Sequence, residues 1–231
     1  MTGLDEDELR ARARSFGSVA AEYAALRPGY PADAVAFLVG DGGRPVLDVG
    51  AGTGLLTEVV LDAGHDVTAV GTAEAIPAGD ASVDAVVAGQ AAHWFDPAPA
   101  AREIRRVLRS GGTLGLIWNS RDERIAWVGA LGELISAEAR GHEADQGVVD
   151  SFATELAADV DVLESGIVQP VTREQVVAGI ATRSYVALMD DVRRASFLAG
   201  VRDLLHEHPD TAGRKLLELP YVTRAYRLTP R

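Results

Sequence analysis

The sequence contains no cysteine, a single lysine (Lys215) and no long uninterrupted apolar segment. Without cysteine, the chain has no disulfide, no thiolate metal cluster and no thiol nucleophile for covalent catalysis. A membrane-spanning helix needs about 18 or more consecutive apolar residues, and the sequence contains no such run. The first residues, MTGLDEDELR, are acidic and polar, unlike a secretory signal. We therefore expect a soluble cytoplasmic protein that does not associate with a membrane.

Basic charge is also scarce, with 22 Lys and Arg residues against 34 Asp and Glu residues and a formal net charge of −12. Proteins that bind nucleic acids neutralise phosphates with clustered basic side chains, so this balance argues against general nucleic-acid binding. The chain has 231 residues, enough for one sizeable hydrophobic core with an inserted subdomain. The composition therefore favours a globular protein that does not bind nucleic acid.

From Pro45 onward, short apolar runs alternate with amphipathic segments. The runs PVLDVG, HDVTAV, VDAVVAG and TLGLIWN have the length and composition of strands. The segments TGLLTEVVLDAG and PAPAAREIRRVLRSGG have helical periodicity and end at glycine. This alternation predicts an α/β fold, namely a Rossmann-like, mostly parallel sheet with helices on both faces.

The remaining segments predict additions to this core. Residues 1–44 are expected to form an N-terminal helical cap, and residues 45–119 the cofactor-binding core. In residues 120–231, helices are predicted for ERIAWVGALGELISAEA, FATELAADV, TREQVVAGIAT and DDVRRASFLAGVRDLLHEH, and strands for DVLESGIVQPV and LELPYVTRAYRL. We interpret this part as the second half of the same domain, with extra helices that form a substrate lid before the last strand.

The first predicted strand runs directly into a glycine-rich turn, VLDVGAGTG, which a helix follows. Glycine lets the backbone approach a ligand closely, and the start of the helix offers free N–H groups to an anion. Dinucleotide-binding turns need the pattern G-x-G-x-x-G, and Leu55 stands where the third glycine belongs. The turn therefore indicates a cofactor site that departs from the dinucleotide pattern.

VLDVGAGTG resembles motif I of the class I S-adenosylmethionine-dependent methyltransferases (methyltransferase type 11 domain), with an acidic residue two positions before the first glycine. GTAEAIPAGDASVDAVVAGQAAHWF and EIRRVLRSGGTLGLIWN resemble the parts of this family that surround its fourth and fifth strands. YAALRPGYP resembles the N-terminal cap of the trans-aconitate methyltransferase-like group, whose members act on small molecules. The resemblance extends from Phe16 to Asn119, and it implies S-adenosylmethionine as the cofactor.

In this family the glycine backbone packs along the amino-acid end of the cofactor, and the acidic residue, here Asp48, helps to organise the site. Asp48 fits equally well a buried carboxylate that loop N–H groups satisfy, and the two roles are compatible. The resemblance places Ala73 and Glu74 near the adenine and Gln90 at the edge that faces cofactor and substrate. The whole implied cofactor-binding set is Tyr23, Arg27, Asp48, Gly50, Ala51, Gly52, Thr53, Gly54, Ala73, Glu74 and Gln90.

The role of the N-terminal cap is open in two ways. Tyr23, Arg27 and Tyr30 fit groups that cap the cofactor's carboxylate or close the pocket. They fit equally well a turn whose aromatic side chains simply pack on the core.

One part of the family pattern is missing. In the family, the strand that corresponds to HDVTAV ends in an acidic residue that binds both ribose hydroxyls, whereas Gly71 follows Val70 here. Either a segment is omitted between Val70 and Gly71, or residues 71–82 make a parallel crossover of about the minimum length. We favour an omitted segment, because a real deletion leaves HDVTAV as an exposed apolar edge strand. With a real deletion, Glu74 is the nearest candidate to accept the ribose hydrogen bonds.

Methyl transfer from a sulfonium needs neither a metal nor a covalent residue, because the protein mainly aligns the nucleophile with the methyl group and excludes water. A general base is needed only when the acceptor is protonated at neutral pH, as an alcohol is and a carboxylate is not. His93 is the candidate catalytic base, since its ordinary pKa suits that role. The alternative is a histidine that shapes the pocket together with Trp94.

The sequence thus predicts an S-adenosylmethionine-dependent methyltransferase, a monomer or homodimer, that methylates an oxygen or a carboxyl group of a small organic molecule. FDPAP lacks the proline-rich turn ending in an aromatic residue that amino-directed DNA methyltransferases carry after the fourth strand. Two alternatives remain. One is a nicotinamide-dependent oxidoreductase, and the other is a non-catalytic binding protein with the same fold, if the deletion at Val70 is real.

Overall fold

The computed structural model describes residues 26–135, 142–183, 186 and 189–231, with the side chains of 142–144 left out. The first 25 residues of the expected N-terminal helical cap, including Tyr23, lie outside the described residues. In chain order the described helices are α1 (Ala32–Val39), α2 (Leu55–Asp62), α3 (Pro97–Val107), α4 (Ala126–Leu134), α5 (His142–Leu156), α6 (Arg173–Ala181) and α7 (Asp191–Glu207). The strands are β1 (Pro45–Val49), β2 (Asp66–Val70), β3 (Val83–Gly89), β4 (Leu108–Arg121), β5 (Ala158–Val171) and β6 (Leu217–Pro230).

The chain divides into two compact units. The larger, which we call the sheet unit, consists of Pro28–Arg121, Arg140–Val168 and Pro220–Arg231. It contains α1, α2, α3, α5, four whole strands and most of β5 and β6. The second, which we call the helical unit, contains α4, α6 and α7 among its described elements.

Six strands of the described chain form one sheet in the order β2-β1-β3-β4-β6-β5. β1 pairs in parallel with both β2 and β3, β3 pairs in parallel with β4, and β4 pairs antiparallel with β6. The sheet is therefore mostly parallel, and the predicted α/β Rossmann-like class is confirmed. All carboxyl ends of the four parallel strands meet at one edge, where open α/β sheets bind their ligands.

Helices cover both faces of the sheet, which explains why the central strands read as continuous apolar runs. On one face, Leu47 of β1 and Leu116 of β4 are buried in a cluster with Ile104 of α3 and Phe152 of α5. On the other face, neighbouring strand residues join α1 and α2 in a second cluster, whose buried members include Leu38, Val46, Val60, Val87 and Ile117.

The chain passes from Val70 to Gly71 without a break, and residues 71–82 reach β3 with neither a helix nor a strand between. The structure therefore has the short parallel crossover between Val70 and Val83, and an omitted segment between Val70 and Gly71 stays a prediction. β2 lies at the edge of the sheet, with Asp66, Thr68 and Ala69 exposed and Val67 and Val70 half-buried. The exposed edge is thus less apolar than we expected, since its two valines are partly covered.

Two side chains of α3 hold this crossover in place. The guanidinium of Arg106 donates to the backbone oxygens of Ile76 (2.9 Å) and Ala78 (2.7 Å) and pairs with Asp80 at 2.8 Å. The carboxylate of Glu103 accepts from the Ile76 N–H at 2.9 Å and pairs with Arg106 at 2.7 Å. Hydrogen bonding from Arg106, followed by that from Ile76, lowers the pKa of Glu103 to about 2. Side chains of α3 therefore satisfy backbone groups of the crossover that have no sheet or helix to join.

Three element boundaries differ from the sequence prediction. The helix expected to run to the double glycine ends at Val107, and β4 starts at once with a register irregularity against β3. Around Gly112 the strands approach closely, since a Cβ there would lie 3.0 Å from the backbone oxygen of Asp84. The helix expected to include FATELAADV ends at Leu156, because Ala157 adopts a positive φ of 45° and β5 follows.

α4 also covers less than its predicted span. Its described part is Ala126–Leu134, and the predicted continuation runs into residues 136–141, outside the described ranges. Among the helices of the described chain, none combines the length and the apolar character that a membrane crossing requires.

Candidate functional site

The glycine loop follows β1 at the carboxyl edge of the sheet. Gly50, Gly52 and Gly54 all have positive φ angles, of 68°, 57° and 86°. A Cβ on Gly50 would lie 2.8 Å from the Cβ of Ala91 and 2.9 Å from Cζ of Phe95. A Cβ on Gly52 would meet only the Gly50 oxygen, at 3.9 Å. Gly50 is therefore needed for packing against the segment after β3, whereas Gly52 borders open space.

Backbone hydrogen bonds fix the path of the loop. The N–H of Gly50 donates to the oxygen of Val70 at the end of β2 (2.9 Å), and the N–H of Gly54 donates to the oxygen of Ala51 (2.9 Å). Gly54 is the N-cap residue of α2 and supplies no side-chain cap to the first turn. The helix thus presents its N-terminal dipole to the loop, as an anion-binding turn does. Thr53 lies exposed between the two glycines.

Asp48 is fully buried beside the loop. Its Oδ2 accepts from the hydroxyl of Thr57 on α2 at 2.5 Å, whereas its Oδ1 is buried without a hydrogen-bond partner in the described chain. Burial raises the pKa of Asp48 to about 6, although hydrogen bonds from Thr57 act in the opposite direction. Buried polar atoms normally have partners, so an unpaired carboxylate oxygen next to an open loop is a position for a donor group of a ligand. Thr57 is a site residue that the sequence prediction missed.

Ala73 and Glu74 lie in the crossover. Ala73 is fully buried in the apolar cluster that also contains Leu47. Burial raises the pKa of Glu74, but hydrogen bonds from the Thr72 hydroxyl and the Asp96 N–H outweigh this effect, so the pKa is lowered. The Asp96 N–H donates to Oε1 at 3.0 Å, and the Thr72 hydroxyl donates to Oε2. Glu74 therefore ties the crossover to the N-cap residue of α3, a structural use that is compatible with a remaining lone pair for a ligand.

Gln90 stands at the carboxyl end of β3 with a positive φ of 56°. Its N–H donates to the oxygen of Ile117 at 2.9 Å, and its side-chain amide donates to the oxygen of Asn119 at 2.8 Å. A non-glycine residue in this conformation is uncommon and is often associated with a ligand site. The structure therefore locks Gln90 onto β4 at the edge where the glycine loop lies.

Asn119 and Thr223 are further polar residues at this edge that the sequence prediction did not name. The hydroxyl of Thr223 on β6 donates to Oδ1 of Asn119 at 2.5 Å. The rule that ligands bind at the carboxyl ends of parallel strands pointed to Asn119, the last residue of TLGLIWN. Thr223 carried no comparable signal, because it follows Asn119 by 104 positions and pairs with it only in the folded sheet.

His93 lies in a single 3₁₀ turn, Ala92–Trp94, directly after β3. Its ring is 4.8 Å from the ring of Trp94 at an angle of 47°, and Trp94 is half-exposed. The neighbours of this turn, Ala91 and Phe95, contact the position of Gly50. The structure therefore brings the segment that carries His93 against the glycine loop. The contact between His93 and Trp94 agrees with the alternative interpretation, in which the two side chains shape the pocket together.

The residues of the N-terminal cap fall in different parts of the structure. Tyr30 is buried in the sheet unit, in the cluster that also contains residues of α1 and β3. Arg27 is half-buried and belongs to the helical unit. Tyr23 lies outside the described residues. Within the residues that the structure describes, no group of three or more His, Asp or Glu side chains is arranged to hold a metal ion.

Comparisons with known proteins point to one family. A family model described as a methyltransferase domain matches residues 69–116. Uncharacterized methyltransferases of Mycobacterium bovis and Mycobacterium tuberculosis H37Rv are 40% identical over 236 aligned positions, covering 93% of this chain and 95% of each relative. An uncharacterized methyltransferase-like protein of Schizosaccharomyces pombe is 34% identical over 150 positions, covering 53% of this chain and 58% of that protein.

Solved structures share the fold at lower identity. A protein of Anaeromyxobacter dehalogenans assigned as a type II methyltransferase superimposes with a TM-score of 0.64 at 23% identity, covering 88% of this chain and 97% of the other. A protein of Anabaena variabilis assigned as a methyltransferase of an antibiotic biosynthesis pathway has a TM-score of 0.60 at 19% identity, with coverages of 84% and 95%. At these identities the likeness concerns the fold alone.

The alignment with the mycobacterial relatives has 236 positions, more than the 231 residues of this chain, so these relatives contain residues that this chain lacks. The site fits the cofactor of the family, since it offers an open glycine loop and an unpaired buried carboxylate oxygen. The nicotinamide-dependent alternative is not supported, because the matched relatives are methyltransferases. The chain belongs to the S-adenosylmethionine-dependent methyltransferases.

Proposed function

We propose that this enzyme transfers a methyl group from S-adenosylmethionine to an oxygen or a carboxyl group of a small organic molecule at the carboxyl edge of its sheet. The observation that supports the position of the site is the open space beside Gly52, next to the unpaired oxygen of buried Asp48. A small acceptor agrees with the net charge of −12, which disfavours a polyanionic substrate. Membership in the trans-aconitate-like group, a cytoplasmic location and a monomeric or homodimeric state belong to the same proposal.

The cofactor-binding groups in this proposal lie on three sides of the loop. The backbone of Gly50, Ala51, Gly52, Thr53 and Gly54 lines the amino-acid end of the cofactor, and the unpaired Oδ1 of Asp48 receives a hydrogen-bond donor there. Ala73, Glu74 and Gln90 border the nucleoside and the acceptor, and Tyr23 and Arg27 complete the set of cofactor-binding residues in this proposal. When bound, S-adenosylmethionine supplies a methyl group on a positively charged sulfur.

The protein's own contribution is alignment and exclusion of water. The positive φ angles and the Val70 and Ala51 hydrogen bonds keep the loop in one conformation before any ligand binds. The contacts of Gly50 with Ala91 and Phe95 fix the position of the following 3₁₀ turn relative to the loop. His93 on that turn is then placed to take the proton from an alcohol acceptor, whereas a carboxylate acceptor requires no base.

The experiment that tests the site is calorimetric titration of S-adenosylmethionine into the wild type and into Gly52→Val. The variant places a branched side chain in the open space, so we expect no measurable binding at concentrations that saturate the wild type. Gly43→Val is the matched control: Gly43 has a φ of 79°, its Cβ would meet nothing within 4 Å, and it lies before the amino end of β1. Equal affinity in Gly52→Val and wild type would contradict the assignment of the loop.

A second experiment separates an enzyme for alcohols from one for carboxylates. His93→Gln keeps a hydrogen-bonding side chain but cannot take a proton at neutral pH. With an alcohol acceptor, kcat is expected to fall by about a hundredfold. With a carboxylate acceptor, kcat is expected to stay within about threefold of wild type. Unchanged kcat with an alcohol acceptor would remove His93 from the catalytic role.

The non-catalytic alternative applies if the deletion at Val70–Gly71 is real. It predicts that the wild type binds no S-adenosylmethionine in the same titration, whereas the proposed function predicts saturable binding with one site per chain.

A further inference from the structure

Asn119 connects three parts of the sheet unit through one residue. Its side-chain amide donates to the backbone oxygen of Gly29 at 2.9 Å, and its Oδ1 accepts from the hydroxyl of Thr223 at 2.5 Å. Its backbone oxygen accepts from the side chain of Gln90 at 2.8 Å. The turn before α1, the end of β3 and the middle of β6 therefore all depend on Asn119 for a hydrogen bond.

The Gly29 bond matters because of the residue that follows. The hydroxyl of Tyr30 lies directly over the last residue of β3, since a Cβ on Gly89 would be 2.6 Å from it. The same Cβ would be 3.2 Å from Cδ2 of Leu56, in the first turn of the helix that follows the glycine loop. Tyr30 is thus held between the end of β3, a strand next to β1 in the sheet, and the start of α2, the helix that follows the loop.

Close packing of this kind leaves little freedom for the tyrosine. Gly89 has no side chain, so the ring approaches the strand end more closely than it would to any other residue. The position of the ring then depends on the backbone of residues 29 and 30, and that backbone is fixed to the sheet by the amide of Asn119. Thr223 orients this amide, because its hydroxyl donates to the oxygen and leaves the nitrogen directed at Gly29.

We propose that Asn119 is a positioning residue of the cofactor site, which holds the Gly29–Tyr30 turn so that Tyr30 forms one wall of the pocket beside the glycine loop. This inference rests on the proposed location of the site. It assigns no chemical step to Asn119, which acts through Tyr30.

The test is the affinity of Asn119→Asp for S-adenosylmethionine, measured by calorimetry well below the melting temperature of the variant. Aspartate keeps the acceptor for Thr223 but loses the donor to Gly29 and sets a carboxylate against a carbonyl oxygen. The dissociation constant is expected to rise by about tenfold, the effect of one lost hydrogen bond. If Asn119→Asp does not fold, Asn119→Ser serves instead, because its hydroxyl is too short to reach Gly29.

Thr113→Val is the matched control for a merely structural role. Thr113 lies near the opposite end of the same strand, and its hydroxyl donates to the backbone oxygen of Leu38 at 3.3 Å. Its loss is expected to lower the melting temperature and to leave the dissociation constant within about twofold of wild type. An Asn119 variant that behaves like this control, less stable but with unchanged affinity, would overturn the inference.

A double-mutant cycle tests the route through Tyr30. Gly89→Ala displaces the ring directly, so the double variant with Asn119→Asp is expected to bind no more weakly than Gly89→Ala alone. Additive losses would show that Asn119 acts elsewhere and would overturn the inference. A wild type that binds no S-adenosylmethionine would overturn the proposed function and the inference together, whereas wild-type binding with unaffected variants overturns the inference alone.

Discussion

The glycine loop has two neighbours in the sheet, and they hold it in different ways. On the β2 side, the loop is attached by backbone alone, since the N–H groups of Gly50 and Ala51 both point to the oxygen of Val70 at 2.9 and 3.4 Å. On the β3 side, the loop packs against the side chains of Ala91 and Phe95, and polar side chains join the strand ends.

The difference follows from chain length. Residues 71–82 cross to β3 directly, so no further helix or strand covers the outer side of β2, and the crossover depends on α3 for its hydrogen bonds. The β3 side instead has β4 and β6 beyond it, and these two strands supply the side chains of Asn119 and Thr223. The comparison teaches that polar side-chain contacts concentrate on the side of the loop where further strands extend the sheet.

The largest expected effect concerns the β3 side. Gly50→Ala places a Cβ within 2.8 Å of Ala91 and 2.9 Å of Phe95 at a φ of 68°. Overpacking and left-handed strain together are expected to lower the free energy of unfolding by about 4 kcal/mol, measured by urea denaturation. The control is Gly111→Ala, with a φ of 78° and no atom within 4 Å, which carries the strain alone. Equal losses in the two variants would show that packing against the β3 side is unimportant.

The next largest effect concerns Asp48, which lies in β1 between the β2 side and the β3 side of the loop. Burial raises the pKa of Asp48 from 3.8 to about 6, so the folded protein keeps a proton that the unfolded chain has released between these pH values. The contribution of Asp48 to stability is therefore most favourable below about pH 4, decreases as the pH rises to about 6 and is constant above, a change on the order of 3 kcal/mol.

Asp48→Asn removes this titration. The difference in unfolding free energy between wild type and variant, followed by urea denaturation from pH 4 to pH 7, is expected to shift in favour of the variant as the pH rises. A difference that stays constant over this range would mean that Asp48 has its ordinary pKa in the folded protein.

A smaller effect is expected on the β2 side. Arg106→Leu removes the donors to Ile76 and Ala78, so residues 71–82 should become a site of limited proteolysis and the melting temperature should fall. Arg194→Leu is the control, because Arg194 pairs with Asp191 on α7 at 3.2 Å and lies away from residues 71–82 in the chain. Cleavage of both variants at the same rate would remove the special role of Arg106.

The smallest effect is expected far from the loop. Arg231 pairs with Asp159 across β6 and β5, and both side chains are exposed, so solvent screens the pair. Hydrogen bonding from Arg231 lowers the pKa of Asp159. Arg231→Ala is expected to leave the melting temperature and the affinity for S-adenosylmethionine unchanged. A clear loss of affinity would show that the β5 edge of the sheet also affects the cofactor site.

The sequence predicted correctly the parts of the fold that have local signals. The strands around Asp48 and the glycine loop are continuous in sequence, and their periodicity and glycine spacing predicted both the fold class and the position of the loop. The hydrogen bonds of Glu103 and Arg106 that stabilise the short crossover had no local signal, because they come from a helix more than twenty positions away.

The polar contacts at the sheet edge could not be predicted from local sequence signals, because they also join residues far apart in the chain. Asn119 reaches Gly29 over 90 positions and Thr223 over 104, and such pairs meet only once the sheet has formed. The positive φ of Gln90 likewise had no sequence signal, since glutamine seldom adopts it.

The Val70 oxygen has a consequence for the motions of the protein. This oxygen lies at the end of β2, a five-residue edge strand, and accepts hydrogen bonds from two amides of the loop. Short edge strands are among the elements that open first in native proteins. Deuterium uptake at the Gly50 amide should therefore report how often that strand detaches. A ligand seated on the loop would slow the exchange of the whole strand, well beyond the atoms it touches.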